Sequence, residues 1–296
     1  MSKKICVVGA GYWGKNHIST LDKLGVLYGV VDTNRDILDS LIIKYPNVKK
    51  HSTIEDAFLE DYDGFTIATP AETHFRIAKM ILLNNYHVLI EKPMTLSIKE
   101  AETLVRISKE NKAHIVVGHV LLFHPAINKI KELIEDNSIG QLQYIYSNRL
   151  NLGKVRTGEN VFWSLAPHDI AIFQYLTNSF PKGINTKGST FLQKNIHDST
   201  ITYLEYENGV EGHIFVSWLH PFKEHRLVVI GSNAMISFED SKEEKPLKLY
   251  SKKFDLVNGV PEKVDGSVKW IPYEKKLPLE EEMKYFINTI TINNKI

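Results

Sequence analysis

The stretch that decides the first half of the fold is Ile5-Cys6-Val7-Val8-Gly9-Ala10-Gly11-Tyr12-Trp13-Gly14. An unbroken apolar segment leads into the pattern GxGxxG, and residues 13–24 continue with a helical pattern. In such a strand–turn–helix unit the first glycine forms the turn, the second admits a pyrophosphate to the backbone, and the third lets the helix pack closely. The stretch therefore predicts a parallel α/β unit whose helix N-terminus faces phosphate groups.

An acidic residue after the second apolar run supports this interpretation. Residues 26–31 form that run, and Asp32 stands at its end. A carboxylate at this place accepts hydrogen bonds from the adenosine ribose hydroxyls and repels a 2′-phosphate, which favours NAD over NADP. Arg35, three residues further on, would weaken that preference. We therefore expect NAD as the cofactor, with NADP as the less favoured alternative.

The same glycines have other uses that must be weighed. Gly9, Gly14 and Lys15 also fit the P-loop pattern GxxxxGK. However, Asn16 lacks the hydroxyl that a P-loop offers to Mg²⁺, and a P-loop leaves Asp32 unexplained. We therefore predict that the protein is not a P-loop NTPase. A methyltransferase, or a glycine turn that binds nothing, stays open on this stretch alone.

The alternation of strand and helix continues to about residue 120. The further predicted strands are residues 65–68, 87–90 and 114–117, and the further predicted helices are residues 35–44, 71–83 and 97–110. Ser97 and Glu100 have the spacing of a capping box at the start of the last helix. Alternation of this kind predicts a doubly wound parallel sheet, here in a Rossmann domain over residues 1–120.

Residues 121–296 have a different character. The predicted strands are residues 142–150, 188–193, 199–206, 210–218, 226–230 and 235–238, and the predicted helices are residues 125–134, 167–176 and one from Leu279. Consecutive strands without helices between them favour an antiparallel arrangement. We therefore predict a second domain of the α+β class over residues 121–296.

Composition narrows the classes of protein. The 296 residues are 43% hydrophobic and 24% charged, as in an ordinary globular protein, and the net charge of +1 argues against a nucleic-acid binder. The single cysteine, Cys6, excludes an intramolecular disulfide and a cysteine-rich metal cluster, and no HExxH pattern occurs. Because no run of about 18 apolar residues occurs, we expect no membrane span and a cytoplasmic location. We expect no metal site.

Two further motifs place chemically active side chains near strand or helix ends. Glu91-Lys92-Pro93 follows a predicted parallel strand, whose carboxyl end faces the ligand crevice, so Lys92 is expected beside the cofactor. The alternative is an ordinary surface lysine. Pro167-His168-Asp169 fits the first turn of a helix, because proline suits that turn, and this places His168 just past a loop. The alternative is a structural histidine.

Together with Ala68-Thr69-Pro70, His74 and Gly118-His119, these motifs resemble the Gfo/Idh/MocA oxidoreductases over nearly the whole chain. The resemblance implies a Rossmann domain followed by a substrate-binding and oligomerisation domain with a large, mostly antiparallel sheet. It also implies that Lys92 and His168 are the catalytic pair acting on a sugar or cyclitol hydroxyl. The residues expected at the cofactor are Gly9, Gly11, Tyr12, Trp13, Gly14, Asp32, Ala68, Thr69, Pro70, His74, Glu91 and Lys92, and those expected at the substrate are Lys92, His119, Arg156, Trp163 and His168.

Residues 162–170 and 216–221 are similar to a narrower branch of the family, which oxidises the 3-hydroxyl of UDP-N-acetylglucosamine or its uronic acid. The resemblance implies a 3-keto product for a partner aminotransferase and a homo-oligomer. Many members carry an aspartate four residues before the histidine, where this chain has Ser164, so no carboxylate role is expected there. An inositol or free-sugar dehydrogenase, or a non-catalytic dinucleotide-binding sensor, are the alternatives. A short-chain reductase is excluded, because the YxxxK match at residues 45–49 comes too early and contains Pro46.

Overall fold

The computed structural model of the chain describes residues 3–292. The chain forms two compact units. One combines the described residues up to Val120 with the described residues from Lys276, and the other spans Leu121–Lys275. A short 3₁₀ helix occupies Val120–Phe123. Among the described residues, no helix has both the length and the hydropathy that crossing a membrane requires.

The first unit is built on a six-stranded parallel sheet with the order β3-β2-β1-β4-β5-β6. Its strands are β1 (Ile5–Val8), β2 (Leu27–Val31), β3 (Lys49–His51), β4 (Gly64–Ile67), β5 (His87–Glu91) and β6 (Ile115–Gly118). All residues of β1 and β4 are buried, as expected of parallel strands that are covered on both faces. The doubly wound parallel sheet predicted from the sequence is therefore confirmed.

Five helices follow the strands of this sheet. They are α1 (Gly14–Lys23), α2 (Arg35–Lys44), α3 (Ile54–Ala57), α4 (Ala71–Leu83) and α5 (Ile98–Glu110). The sequence patterns missed β3 and α3, because three and four residues are too few to show a period. The capping box was also wrong: Ser97 stands at the N-cap of α5 with extended backbone, but its side chain makes no capping hydrogen bond.

The last helix of the described chain, α8 (Pro278–Ile292), packs against α1. Its buried side chains Met283, Phe286 and Ile290 join the same core as Ile18 and Leu21 of α1. This apolar contact explains why the helix groups with the first unit. The sequence had assigned it to the second domain, and nothing in its own pattern indicates which core it covers.

The second unit is an eight-stranded sheet with the order β16-β13-β12-β11-β7-β10-β9-β8. Its strands are β7 (Leu142–Leu152), β8 (Pro181–Ser189), β9 (Ser199–Tyr206), β10 (Glu211–Ser217), β11 (Leu219–Gly231), β12 (Met235–Glu239), β13 (Leu247–Tyr250) and β16 (Val268–Trp270). β7 and β10 pair in parallel, and the other neighbours in this sheet pair antiparallel. The mostly antiparallel sheet is therefore confirmed. A separate hairpin joins β14 (Lys253–Val257) to β15 (Val260–Val264).

Two helices, α6 (Pro125–Glu135) and α7 (Val161–Thr177), complete the second unit and share its core with the inward side chains of the sheet. The prediction for the start of α7 was wrong. Asn160 caps the helix, its side-chain oxygen accepting the Trp163 N–H at 3.1 Å, so the helix begins six residues before Pro167. Pro167 consequently lies inside α7, and His168 is in its third turn rather than its first.

Candidate functional site

Two of the three glycines in the turn between β1 and α1 have no room for a Cβ atom. Gly9 has a φ of +93°, and a Cβ there would lie 2.7 Å from the Thr69 side chain. A Cβ on Gly14 would lie 1.9 Å from the Gly9 carbonyl oxygen. At Gly11 a Cβ would meet nothing within 4 Å, so this position faces open space. The turn therefore packs on one side and leaves its backbone accessible on the other, as a pyrophosphate site requires.

A cavity of about 390 Å³ opens beside this turn at the carboxyl ends of β1, β2 and β4. It is within the size range of small-molecule and cofactor sites. Its lining residues are Val8, Gly9, Gly11, Val31, Asp32, Thr33, Ser52, Thr53, Ile54, Glu55, Ala68, Thr69, Pro70, Arg76 and Ile77. Six of the residues predicted from the sequence to bind the cofactor thus line one cleft. The sequence missed Ser52, Thr53, Glu55 and Arg76, the first three because β3 and α3 were not recognised.

Asp32 is held in place by two backbone groups. One carboxylate oxygen accepts the Ala10 N–H at 2.7 Å, and the other accepts the Asn34 N–H at 2.9 Å. The carboxylate therefore joins the end of β2 to the glycine turn. Each ionised oxygen can accept a second hydrogen bond, so acceptor capacity remains for ribose hydroxyls. The glycine turn, the cleft and this acceptor together fit an adenine dinucleotide.

The six remaining residues predicted at the cofactor do not line this cleft. Tyr12 is 91% exposed at the turn. The Trp13 indole N–H donates to a carboxylate oxygen of Glu91, which also contacts His17 Nε2 at 2.9 Å. The other Glu91 oxygen accepts the Lys92 backbone N–H at 3.2 Å. Glu91 is thus buried between α1 and the segment that carries Lys92. No local pattern pointed to His17, which contacts Glu91 across 74 positions of sequence.

Gly14 packs beneath the turn. His74 of α4 connects two loops: its Nδ1 lies 2.8 Å from the Pro93 carbonyl oxygen, and its Nε2 lies 2.9 Å from the Thr69 carbonyl oxygen. Pro93 directly follows Lys92, and Thr69 lines the cleft. The Lys92–Pro93 peptide bond is cis. His74 therefore connects the loop of Thr69 to the segment that follows Lys92, and its contact with the cofactor stays a prediction.

His119 lies at the end of β6, beside the end of β5. Glu91 and Gly118 are paired in the register of these strands. Burial lowers the pKa of His119, and the Lys92 charge lowers it further, against the opposing effect of the Glu91 carboxylate. A neutral imidazole is therefore expected next to the Glu91-Lys92-Pro93 segment at neutral pH.

The other predicted substrate residues belong to the second unit. His168 and Trp163 are both on α7, and the Trp163 side chain is 49% exposed. Arg156 is exposed on the loop before α7, where its carbonyl oxygen accepts a hydrogen bond from the Gln193 side chain at 2.9 Å. Ser164 stands four residues before His168, so both project from the same side of the helix.

A buried ion pair anchors α7 next to His168. Arg149 of β7 donates to both carboxylate oxygens of Asp169, at 2.8 and 3.0 Å, and Asp169 is 3% exposed. Burial disfavours the charged form of Arg149, but the Asp169 carboxylate outweighs it and raises the pKa of Arg149. Burial and the Arg149 charge lower the pKa of nearby His225 to about 4. Arg149 could not be identified from the sequence, because a lone arginine in a strand carries no local signal.

Comparison with known families assigns both parts of the chain. Residues 3–119 match the family model described as "Oxidoreductase family, NAD-binding Rossmann fold", and residues 127–237 match the "GFO/IDH/MocA C-terminal domain".

Similar proteins cover most or nearly all of the chain. A UDP-N-acetylglucosamine 3-dehydrogenase of Acidithiobacillus ferrooxidans is 26% identical over 98% of this chain and 89% of its own. A solved structure of that enzyme aligns with a TM-score of 0.86 at 23% identity, covering 99% of this chain and 90% of its own. An inositol 2-dehydrogenase of Corynebacterium glutamicum is 24% identical over 71% of this chain and 65% of its own. The WlbA dehydrogenase of Bordetella pertussis, solved with NADH and UDP-GlcNAcA, aligns with a TM-score of 0.74 at 19% identity, covering 83% of this chain and 80% of its own. Through both of its domains, the chain belongs to the Gfo/Idh/MocA family of oxidoreductases.

Proposed function

We propose that this oxidoreductase uses NAD to oxidise the 3-hydroxyl of a UDP-N-acetylglucosamine-type nucleotide sugar to a 3-keto sugar. The observation that carries the proposal is the first-unit site, where the dinucleotide cleft and the Glu91-Lys92-Pro93 segment lie at the carboxyl ends of one parallel sheet. The A. ferrooxidans relative supports this substrate, since it matches almost the whole chain. An inositol is the second candidate, because an inositol 2-dehydrogenase also matches.

The choice of NAD follows from the charges that line the cleft. Asp32 is fixed by two backbone N–H groups, and exposed Glu55 adds a second carboxylate to the same cleft. Both carboxylates repel the 2′-phosphate of NADP. Arg76 is the one arginine among the lining residues and acts in the opposite direction. We propose that two acids, one of them rigidly held, outweigh this cation.

In the proposed mechanism, His168 takes the proton of the reacting hydroxyl and Lys92 orients and polarises its oxygen. NAD, held by the glycine turn and the cleft beside Asp32, would supply the hydride acceptor. The carbon that bears the reacting hydroxyl would give up a hydride, which carries two electrons, and the hydroxyl oxygen would give up its proton to His168, which leaves a ketone. Imidazole has an ordinary pKa near 6.5 and suits a general base at neutral pH. A lysine with an ordinary pKa near 10.4 is mostly protonated at that pH and suits a hydrogen-bond donor. The neutral imidazole of His119 is proposed to contact the same substrate.

Two side chains of the second unit are proposed to bind the nucleotide part of the substrate. The half-exposed Trp163 indole offers a face on which a base or sugar stacks. Arg156 is exposed and carries a guanidinium that matches a diphosphate in two-point geometry. The 3-keto product has the carbonyl that an aminotransferase converts to an amine, and we propose such an enzyme as the next step.

We further propose that the protein is a homo-oligomer. The face of the second-unit sheet opposite the buried Ile145 and Ile214 carries stacked rings of Tyr146 and His213, together with Tyr203, which is 52% exposed. An aromatic face of this kind is typical of an interface between subunits. Size-exclusion chromatography with light scattering tests this: a monomer at micromolar concentration contradicts it.

Absorbance at 340 nm tests the proposed reaction. Purified enzyme with NAD and UDP-N-acetylglucosamine, its uronic acid, myo-inositol or glucose is expected to form NADH with the nucleotide sugars. Lys92→Ala and His168→Ala should each lower kcat by roughly 10²–10⁴-fold while NAD affinity stays within about threefold. NADH formation with inositol alone would select the second candidate. Dinucleotide binding without turnover on any of the four would indicate a sensor.

A further inference from the structure

His74 makes two hydrogen bonds that a neutral imidazole cannot make together. Its side chain is 1% exposed, and its two ring nitrogens lie 2.8 Å and 2.9 Å from the carbonyl oxygens of Pro93 and Thr69. A main-chain carbonyl oxygen accepts hydrogen bonds and never donates one. A neutral ring has one N–H and one nitrogen lone pair, so one of these two carbonyls would face a lone pair at hydrogen-bond distance. In a buried site such an arrangement is unfavourable.

From this geometry we infer that His74 carries a proton on both ring nitrogens and acts as a cationic clamp between two loops. One loop contains Thr69 and lines the dinucleotide cleft, and the other contains Pro93, immediately after Lys92. Both hydrogen bonds are then charge-assisted, and such bonds are about twice as strong as bonds between neutral groups.

The charged groups near the His74 ring lie on its own helix and on the opposing loop. On its own helix, His74 lies in the second turn of α4, near the positive end of the helix. The charged residues of α4 nearest to it in sequence, Glu72 and Arg76, are both exposed. On the opposing loop, Glu91 and Lys92 precede Pro93, and the Glu91 carboxylate brings a negative charge to that segment. The two carbonyl oxygens are thus the direct partners that favour the doubly protonated ring.

The consequence for catalysis rests on the proposed function, whereas the protonation state does not. If Lys92 orients the reacting hydroxyl, then the bond from His74 to the Pro93 carbonyl fixes the backbone next to that lysine. The bond to the Thr69 carbonyl fixes the wall of the cofactor cleft. His74 is therefore a positioning residue that sets the distance between bound dinucleotide and Lys92 without touching the substrate.

Nitrogen NMR of the full-length, ¹⁵N-labelled wild-type chain tests the protonation state directly. The histidine ring signals are assigned through the backbone, so no variant needs to fold. At pH 7.5 both ring nitrogens of His74 should give the signals of protonated nitrogens. The matched control is His51, which is 8% exposed and lies 2.8 Å from the Tyr62 hydroxyl. A hydroxyl both donates and accepts, and burial lowers the pKa of His51, so its ring should show one nitrogen without a proton. A lone-pair nitrogen in His74 at this pH overturns the inference.

Kinetics of His74→Gln and His51→Gln test the positioning role. An amide side chain cannot donate to two separated carbonyls with the geometry of a ring, so we expect kcat to fall roughly ten- to a hundredfold with KM for NAD within about threefold. His51→Gln should leave kcat within about twofold. If His74→Gln does not fold, His74→Asn replaces it. If kcat of His74→Gln is unchanged although the wild-type ring is doubly protonated, only the positioning role is rejected. If the wild-type enzyme shows no turnover, the proposed function is rejected, and the NMR result still shows whether His74 is doubly protonated.

Discussion

Replacing Glu282 by glutamine should stabilise the protein by an amount that grows with pH. Glu282 lies on α8 with a side chain that is fully buried, and neither carboxylate oxygen has a hydrogen-bond partner among the described residues. Burial, reinforced by the negative charge of Glu91, raises the pKa of Glu282 to about 9. At neutral pH the folded protein therefore holds a proton on Glu282 that the unfolded chain, with an ordinary glutamate pKa near 4.3, has lost.

The sign and the size of the effect follow from this difference. Between about pH 4.5 and pH 9 the folded state binds one proton more than the unfolded state, so the free energy of unfolding falls as pH rises. Each pH unit in this window costs up to about 1.4 kcal/mol. Glutamine is neutral at every pH and removes this term. Between pH 6 and pH 8 the stability of Glu282→Gln relative to wild type should therefore rise by up to about 2.7 kcal/mol.

Urea unfolding of both proteins at pH 6, 7 and 8 measures this difference. Glu281→Gln serves as the control, because Glu281 is on the same helix but lies partly exposed, 3.0 Å from Lys284. Its stability relative to wild type should change by less than about 0.5 kcal/mol over the same range. A difference in stability between Glu282→Gln and wild type that is the same at all three pH values would show that Glu282 is not protonated in the folded protein at neutral pH.

Substitutions at three further places test other parts of the structure. Gly14→Ala places a Cβ 1.9 Å from the Gly9 carbonyl oxygen, so NAD affinity measured by calorimetry should fall at least about tenfold. Gly11→Ala places its Cβ in open space and leaves the packing of the turn intact. Asp32→Ser should lower the ratio of NAD to NADP affinity by roughly tenfold or more, and an unchanged ratio contradicts the role of its carboxylate. Arg149→Met leaves the buried Asp169 carboxylate without its partner and should cost about 3–5 kcal/mol of stability in urea unfolding, which a loss below about 1 kcal/mol would disprove.

Local signals sufficed for the parts of the fold in which neighbours in sequence are neighbours in space. The Ile5–Gly14 stretch specifies strand, turn and helix within ten residues, and Asp32 follows the next strand. The parallel sheet and the dinucleotide cleft could therefore be predicted. The start of α7 could not, because the proline signal at Pro167 concealed the earlier cap at Asn160. Both residue types occur at helix starts, and only the packing of residues 161–166 shows which one begins the helix.

Contacts between distant residues explain what the sequence could not show. His17 meets Glu91 across 74 positions, and Arg149 meets Asp169 across 20 positions from a different element. His17 and Arg149 are inconspicuous in their own segments, since the role of each depends on a partner that the fold supplies. The placement of α8 also depends on distant residues. Its sequence pattern predicts an apolar face that must be buried, but only the fold shows that this face packs in the core of the first unit.

Hydride transfer from a labelled sugar measures the proposed oxidation of the 3-hydroxyl directly. UDP-N-acetylglucosamine carrying deuterium on carbon 3 is incubated with the enzyme and NAD, and the reduced dinucleotide is analysed by mass spectrometry. We expect one deuterium in the dinucleotide of the wild-type reaction, and a greatly reduced yield with Lys92→Ala or His168→Ala. Reduced dinucleotide that carries no deuterium, or no reduction although NAD binds in the cleft, would contradict the proposed oxidation of the 3-hydroxyl.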